Sequence, residues 1–243
     1  MSRLIMISDI HGCLDQFDQL IAALNIESVS DKLILIGDYV DRGPNSKEVV
    51  EKVMSLVKDY GAIALRGNHD QRLVDLIRSS NPTIQTKFIE HGGIETIRSY
   101  CNITSENSEV DLNTAINFIM NNYNHHIEFL SNLPLYYEDD HHLYVHAGIN
   151  PNYTNWKEQS DYDFMYIKDE FIYQPTIIDK KIVFGHTKAI DIHQKADIWF
   201  GEDKIAIDGG CAYGLQLNAL IYENDQYSTV SISHSTNQLK FNQ

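Results

Sequence analysis

Three short apolar runs organise the N-terminal part of this chain: "RLIMIS" at residues 3–8, "KLILIG" at 32–37 and "GAIALRG" at 61–67. Each is too short for a helix of ordinary length and reads as a strand buried on both faces. Amphipathic segments separate them. "CLDQFDQLIAAL" sets Leu14, Phe17, Leu20, Ile21 and Leu24 at helical spacing, and "SKEVVEKVMSLVKDY" repeats the pattern with Val49, Val50, Val53 and Leu56. Strand and helix in strict alternation imply a parallel sheet with right-handed crossovers, which constrains the chain to an α/β fold.

Residues 72–140 read as mostly helical and form an insertion. Strands return as "HLYVHAG" at 142–148, "KIVFGHT" at 181–187, "IAIDGG" at 205–210, "LNALIYEN" at 217–224 and "QYSTVSIS" at 226–233, the last two an antiparallel hairpin around Asn224-Asp225. No repeat or linker divides the 243 residues, which are expected to form a single domain with ample core.

The balance of 19 basic against 34 acidic residues gives a net charge of −15, which repels polyanions and argues against nucleic acid as a partner. No apolar run approaches the roughly 18 residues of a membrane span, and the N-terminal "MSRLIMISDIHG" is too short in apolar residues for a signal peptide. Cys13, Cys101 and Cys211 show no C-x-x-C spacing, so a reducing cytoplasm is expected, where the Asn102 sequon has no consequence.

The strands share one kind of ending. Asp9 and His11 follow the first, Asp38, Asp41 and Arg42 the second, Asn68, His69 and Asp70 the third, and His146 and His186 two of the later ones. In open α/β sheets the ligand site lies beyond the carboxyl ends of the strands, so these groups are expected to converge on one rim. A set of carboxylate, imidazole and amide oxygen without cysteine suits manganese, iron or zinc better than calcium. Six such ligands exceed the need of one tetrahedral zinc and point to two cations sharing a carboxylate.

The segments "SDIHG", "GDYVDRG", "GNHD", "HAG" and "GHT" resemble the signature of the phosphoprotein phosphatase branch of the calcineurin-like metallophosphoesterases, in its bacterial and phage form, over about residues 3–220. The resemblance implies two mixed β-sheets flanked by helices, with a dimetal site on loops at the strand ends. It implies that Asp9 and His11 bind a first metal, that Asp38 bridges, and that Asn68, His146 and His186 complete the second. Manganese is the expected metal. His69 becomes the proton donor held by Asp41, and Arg42 the clamp on the phosphoryl oxygens, with a metal-bridging hydroxide as nucleophile.

Some histidines compete for these positions. His91-Gly92-Gly93 mimics "HAG" but sits among helical residues, so His146 is preferred. His125, His126, His141 and His142 lie on polar segments and are expected at the surface. His193 has the wrong spacing from His186, and Lys188 stands where the wider superfamily has a second histidine. Where bacterial relatives carry Trp-Ile-Arg, this chain has Tyr166-Ile167-Lys168: either Lys168 replaces the arginine clamp without its bidentate fork, or the substrate is held differently. Tyr213 either lies over the substrate or is simply packed.

The leading expectation is hydrolysis of phosphoserine and phosphothreonine esters. The alternative is a dinucleoside polyphosphate such as diadenosine tetraphosphate, and a catalytically inactive binding module is third. Asp41 tilts the balance toward alkyl esters, whose basic leaving group needs a protonated histidine.

Overall fold

The computed structural model describes residues 3–27, 30–105, 108–234 and 239–242. Its N-terminal half alternates as expected: β1 (Leu4–Ile7), α1 (Leu14–Leu24), β2 (Lys32–Leu35), α2 (Ser46–Tyr60) and β3 (Ile63–Ala64). Four helices follow, α3 (Asn68–Arg78), α4 (Pro82–Glu90), α5 (Gly93–Cys101) and α6 (Leu112–Asn132). The later part runs β4 (Tyr136–Glu138), β5 (His142–Val145), α7 (Asp161–Tyr166), α8 (Asp169–Ile172), β6 (Lys181–Phe184), α9 (Ala189–His193), β7 (Trp199–Phe200), β8 (Lys204–Ala206), β9 (Gln216–Glu223), β10 (Gln226–Ser233) and β11 (Leu239–Asn242).

Two mixed sheets result, ordered β11-β10-β9-β1-β2-β3 and β4-β5-β6-β8-β7. In the first, β1, β2 and β3 are parallel and β9 joins β1 antiparallel. In the second, β5, β6 and β8 are parallel, with antiparallel edges. Strand alternation sorts the core into layers. Met6, Ile34 and Leu220 of the first sheet meet Tyr144, Val183 and Ile205 of the second. Ile5, Ile7, Leu33 and Leu35 face the other way, onto Phe17, Leu20, Val49 and Val53 of α1 and α2. On the far side Leu143, Val145, Ile182 and Phe184 pack with Phe164 and Phe171 of α7 and α8. Each such side chain contributes about 1.5–3 kcal/mol by leaving water. No helix among the described residues is long and apolar enough to cross a membrane.

The helical insertion starts at Asn68 rather than at residue 72, and it ends before β4, a strand that the helical reading of 72–140 overlooked. Two of the histidines expected at the surface are instead buried. His126 is 2% exposed and hydrogen-bonded to the Tyr100 hydroxyl at 3.0 Å; His142 is 0% exposed, with its Nε2 2.7 Å from the Tyr227 hydroxyl. A partner hydroxyl removes most of the cost of burying an imidazole, and it comes from a segment distant in sequence. His125 and His141 are exposed, as expected.

Candidate active site

The strand ends do meet on one rim, and the backbone there is unusual. Asp9, His11, Asp38, Asp41, Arg42 and His186 all have left-handed φ, between 47° and 72°. Non-glycine residues rarely adopt this conformation, and each costs about 1–3 kcal/mol unless its surroundings enforce it. The enforcement is visible. Asp9 N–H donates to Gly37 O at 3.1 Å, His11 N–H to Asp38 O at 2.9 Å and Arg42 N–H to Gly92 O at 2.9 Å. Buried Asp70 accepts from the N–H groups of Gly67, Asp38 and Tyr39, each at 2.9 Å, and so ties the β2 loop to the start of α3. Gly67 is required at this junction, because a Cβ there would lie 2.1 Å from Asp38 Oδ1.

Asp38 is the centre. Its carboxylate lies 3.4 Å from His11 Nε2 on one side and 3.4 Å from His146 Nε2 on the other. Asn68 Oδ1 is 3.0 Å from His146 Nε2 and 2.8 Å from His186 Nδ1. His11 Nδ1 donates to Val40 O at 2.7 Å and His146 Nδ1 to Ile36 O at 2.8 Å, which aims both Nε2 atoms at the centre. Asp9 Oδ1 is 4.0 Å from His11 Nε2, and its carboxylate also accepts the His186 N–H.

Two groups can each hold a cation: His11, Asp38 and His69, and Asp38, His146 and His186, the ligand atoms of each lying within 4.8 Å of one another. Asp38 is common to both. His186 Nε2 is buried without a hydrogen-bond partner. The electrostatics agree with a site built for positive charge. Burial pushes Asp9 up to about 6 and Asp208 well above the carboxylate range. Burial also opposes ionisation of Asp38, but His146, His69 and His11 hold it well below its ordinary value. Burial works against protonation of His146 too, yet Asp38 raises it to about 9. An oxygen and nitrogen donor set around a shared carboxylate thus fits a pair of divalent cations.

Beside this cluster, His69 Nδ1 and Asp41 Oδ2 are 2.7 Å apart, and Thr96 of α5 donates to Asp41 Oδ1 at 2.7 Å. The insertion therefore supports the site. His69 Nε2 faces Arg42 Nη2 at 2.8 Å and Arg72 Nη1 at 3.0 Å. A guanidinium only donates, so Nε2 accepts and the ring proton sits on Nδ1, toward Asp41. Burial moves both partners toward neutrality, Asp41 up to about 7 and His69 down to about 3, with Arg42 and Arg72 also lowering His69 against the pull of Asp38.

A cavity of about 290 Å³ opens over the cluster, lined among others by Asp38, Arg42, Asn68, His69, His186, Lys168 and Tyr213. Of the residues expected at the site, Asp38, Arg42, Asn68, His69, His186, Lys168 and Tyr213 line this cavity, His11, Asp41 and His146 contact them, and Asp9 lies outside both cation-holding groups, 4.0 Å from His11 Nε2. Arg42 lies with its Cζ 5.0 Å from the centre of the half-exposed Tyr213 ring, and Lys188 Nζ lies 4.4 Å from it. Lys168 is exposed at the mouth. His91 reaches the cavity wall, its ring 6.4 Å from that of His69, and so is a neighbour of the site. His193 turns away to Asp197 O. Sequence reasoning missed Arg72, which lines the cavity with Tyr166. Its signal was spacing: three residues after His69 on a helix, it must share that residue's face.

A family model described as calcineurin-like phosphoesterase matches residues 2–222. The chain is 28% identical over 250 residues to the asymmetrical bis(5'-nucleosyl)-tetraphosphatase PrpE of Anoxybacillus flavithermus, covering 93% of this chain and 92% of that protein. It is 26% identical over 253 residues to the same-named protein of Oceanobacillus iheyensis, covering 94% and 92%. The fold is similar to a crystal structure of a metallophosphoesterase from Sphaerobacter thermophilus, with a TM-score of 0.56 and 20% identity over 99% of this chain and 88% of that one.

Proposed function

The chain belongs to the calcineurin-like phosphoesterase family, and from that premise we propose that it is a dimetal hydrolase of dinucleoside polyphosphates, cleaving a phosphoanhydride. The observation that carries this reading is the charge of the cavity. In a chain of net charge −15, Arg42, Arg72 and Lys168 line one small pocket together with Lys188, which pairs with Asp191 at 3.3 Å. Three cations without a carboxylate partner among the described residues, beside a metal pair, exceed the need of a single phosphoryl group and match a polyphosphate chain. At about 290 Å³ the cavity takes the phosphates, leaving the nucleosides at its mouth beside Tyr213 and Tyr166. The names of the relatives similar over nearly the whole chain support the same substrate class.

In this reading Asp9, His11 and Asp38 hold one cation, and Asp38, Asn68, His146 and His186 the other. When bound, the cations supply a water of lowered pKa and neutralise phosphoryl charge. Arg42 holds the oxygens of the phosphoryl under attack. His69, oriented by Asp41, faces the leaving oxygen with Nε2. A nucleotide phosphate is a weakly basic leaving group, so this histidine need not be fully protonated, consistent with its two guanidinium neighbours.

The Asp41–His69 hydrogen bond favours a second reading, hydrolysis of phosphoserine or phosphothreonine esters, whose alkoxide leaving group needs the proton. Released phosphate from a phosphothreonine peptide and nucleotides from diadenosine tetraphosphate, assayed in parallel with manganese, separate the two. We expect kcat/KM for the dinucleotide to exceed that for the peptide. The reverse order would move the assignment to protein phosphatase.

A further inference from the structure

We propose that Arg72 forms a second phosphate subsite, gripping the phosphoryl group next to the one under attack, and so selects polyphosphates over simple monoesters. This deepens the dinucleoside polyphosphate reading and rests on it for the natural substrate. Arg42 and Arg72 converge on one atom, His69 Nε2, but arrive from different elements and face different neighbours. Arg42, from the β2 loop, also contacts His11 Nε2 of the cation-binding group. It belongs to the reacting phosphoryl. Arg72, from α3, makes no hydrogen bond or ion pair with the other residues of the two cation-binding groups, and its guanidinium lies instead against the Tyr166 ring, with Cζ 5.4 Å from the centroid. Tyr166 in turn stands 6.3 Å from the His186 ring, so Arg72 reaches the cavity between His69, which faces the leaving oxygen, and the Tyr166 wall.

Among the described residues neither guanidinium has an ion pair with a carboxylate. A half-buried arginine in an acidic protein whose hydrogen-bond partner is a histidine shared with another arginine has its fork available for an anion. The aromatic face behind it fixes the plane of the fork. Lys168, exposed at the mouth, adds charge on the same wall but has no planar fork. The Tyr166-Ile167-Lys168 segment thus contributes here through Tyr166, which backs the Arg72 guanidinium. The competing explanation is that Arg72 only positions His69, which would weaken every substrate alike.

The test uses hydrolysis of p-nitrophenyl phosphate by the manganese-loaded protein as a monoester reporter, with free manganese held constant. Inhibition constants for inorganic tripolyphosphate and for orthophosphate are measured on wild type, Arg72→Ala and Arg72→Lys. Wild type is expected to bind tripolyphosphate more tightly than orthophosphate. Arg72→Ala should weaken tripolyphosphate by about 10- to 100-fold more than it weakens orthophosphate or monoester turnover, the loss of a charge-assisted hydrogen bond. Arg72→Lys, which keeps charge without the fork, should recover part of the loss, and thermal melting verifies that both variants fold. Equal losses for all three ligands, or an unchanged ratio of the two inhibition constants, would overturn the proposal. If diadenosine tetraphosphate is not cleaved but the tripolyphosphate preference depends on Arg72, the subsite stands and only the nucleotide reading fails.

Discussion

His11, His69 and His146 at the strand ends are 3%, 2% and 0% exposed, and His126 and His142 in the scaffold are 2% and 0%, so burial does not distinguish the two sets. What distinguishes them is what the rings face. At the rim, His11 and His146 each spend one nitrogen on a backbone carbonyl and aim the other at Asp38. In the scaffold, His126 and His142 meet tyrosine hydroxyls. The backbones differ too: His11 holds a left-handed φ of 47°, whereas His126 lies within α6 and His142 begins β5. The scaffold pair rests mainly on tyrosine hydroxyls, with Asp139 Oδ1 also 3.7 Å from His142 Nδ1. His11 and His146 each keep a lone pair directed at the Asp38 carboxylate, and His11 does so on a backbone that other bonds must hold in place.

The strongest way to break this contrast is Asp38→Asn. It should lower phosphoesterase activity by more than about 100-fold and also destabilise the metal-free protein, since the ionised carboxylate is held well below its ordinary value by His146, His69 and His11. Activity within about tenfold of wild type would show Asp38 to be scaffold. Next, His69→Asn should cost an alkyl phosphomonoester about 10²- to 10⁴-fold in kcat and a dinucleoside polyphosphate less, because the anhydride leaving group needs less proton help. Equal losses would remove that distinction.

On the scaffold side, His142→Leu should lower the unfolding free energy by about 1 kcal/mol, the worth of its bond to Tyr227, with kcat/KM within about twofold of wild type. Urea titration and steady-state kinetics on one preparation give both numbers. The last effect concerns pH. Burial holds His126 down to about 4 against an ordinary 6.5, so between these values the unfolded chain binds the proton and the folded one does not. Stability present above pH 6.5 is therefore lost as pH falls toward 4, by up to about 2 kcal/mol. His126→Gln should flatten that slope in urea titrations at pH 7 and 5, and an unchanged slope would contradict the assignment.

Much of this was legible in the chain. The alternation through Ala64 and the strand endings at Asp9, Asp38, Asn68, His146 and His186 have local signatures, because strand period and turn chemistry act over a few residues. The family resemblance supplied the two mixed sheets. Arg72 escaped because an arginine on a helix resembles any surface charge until its neighbours are known. His126 and His142 escaped because Tyr100 and Tyr227, which make their burial tolerable, lie 26 and 85 residues away. The insertion's contribution through Thr96, 55 residues from Asp41, is of the same kind.

The contrast between the two sets of histidines depends on the rim holding two cations through a shared Asp38. Metal analysis of chelator-stripped protein, equilibrated with manganese and freed of excess, tests it without reference to substrate. The account predicts two manganese ions per wild-type chain and a clear fall in Asp38→Asn. One ion or none in wild type, or two retained in Asp38→Asn, would contradict it.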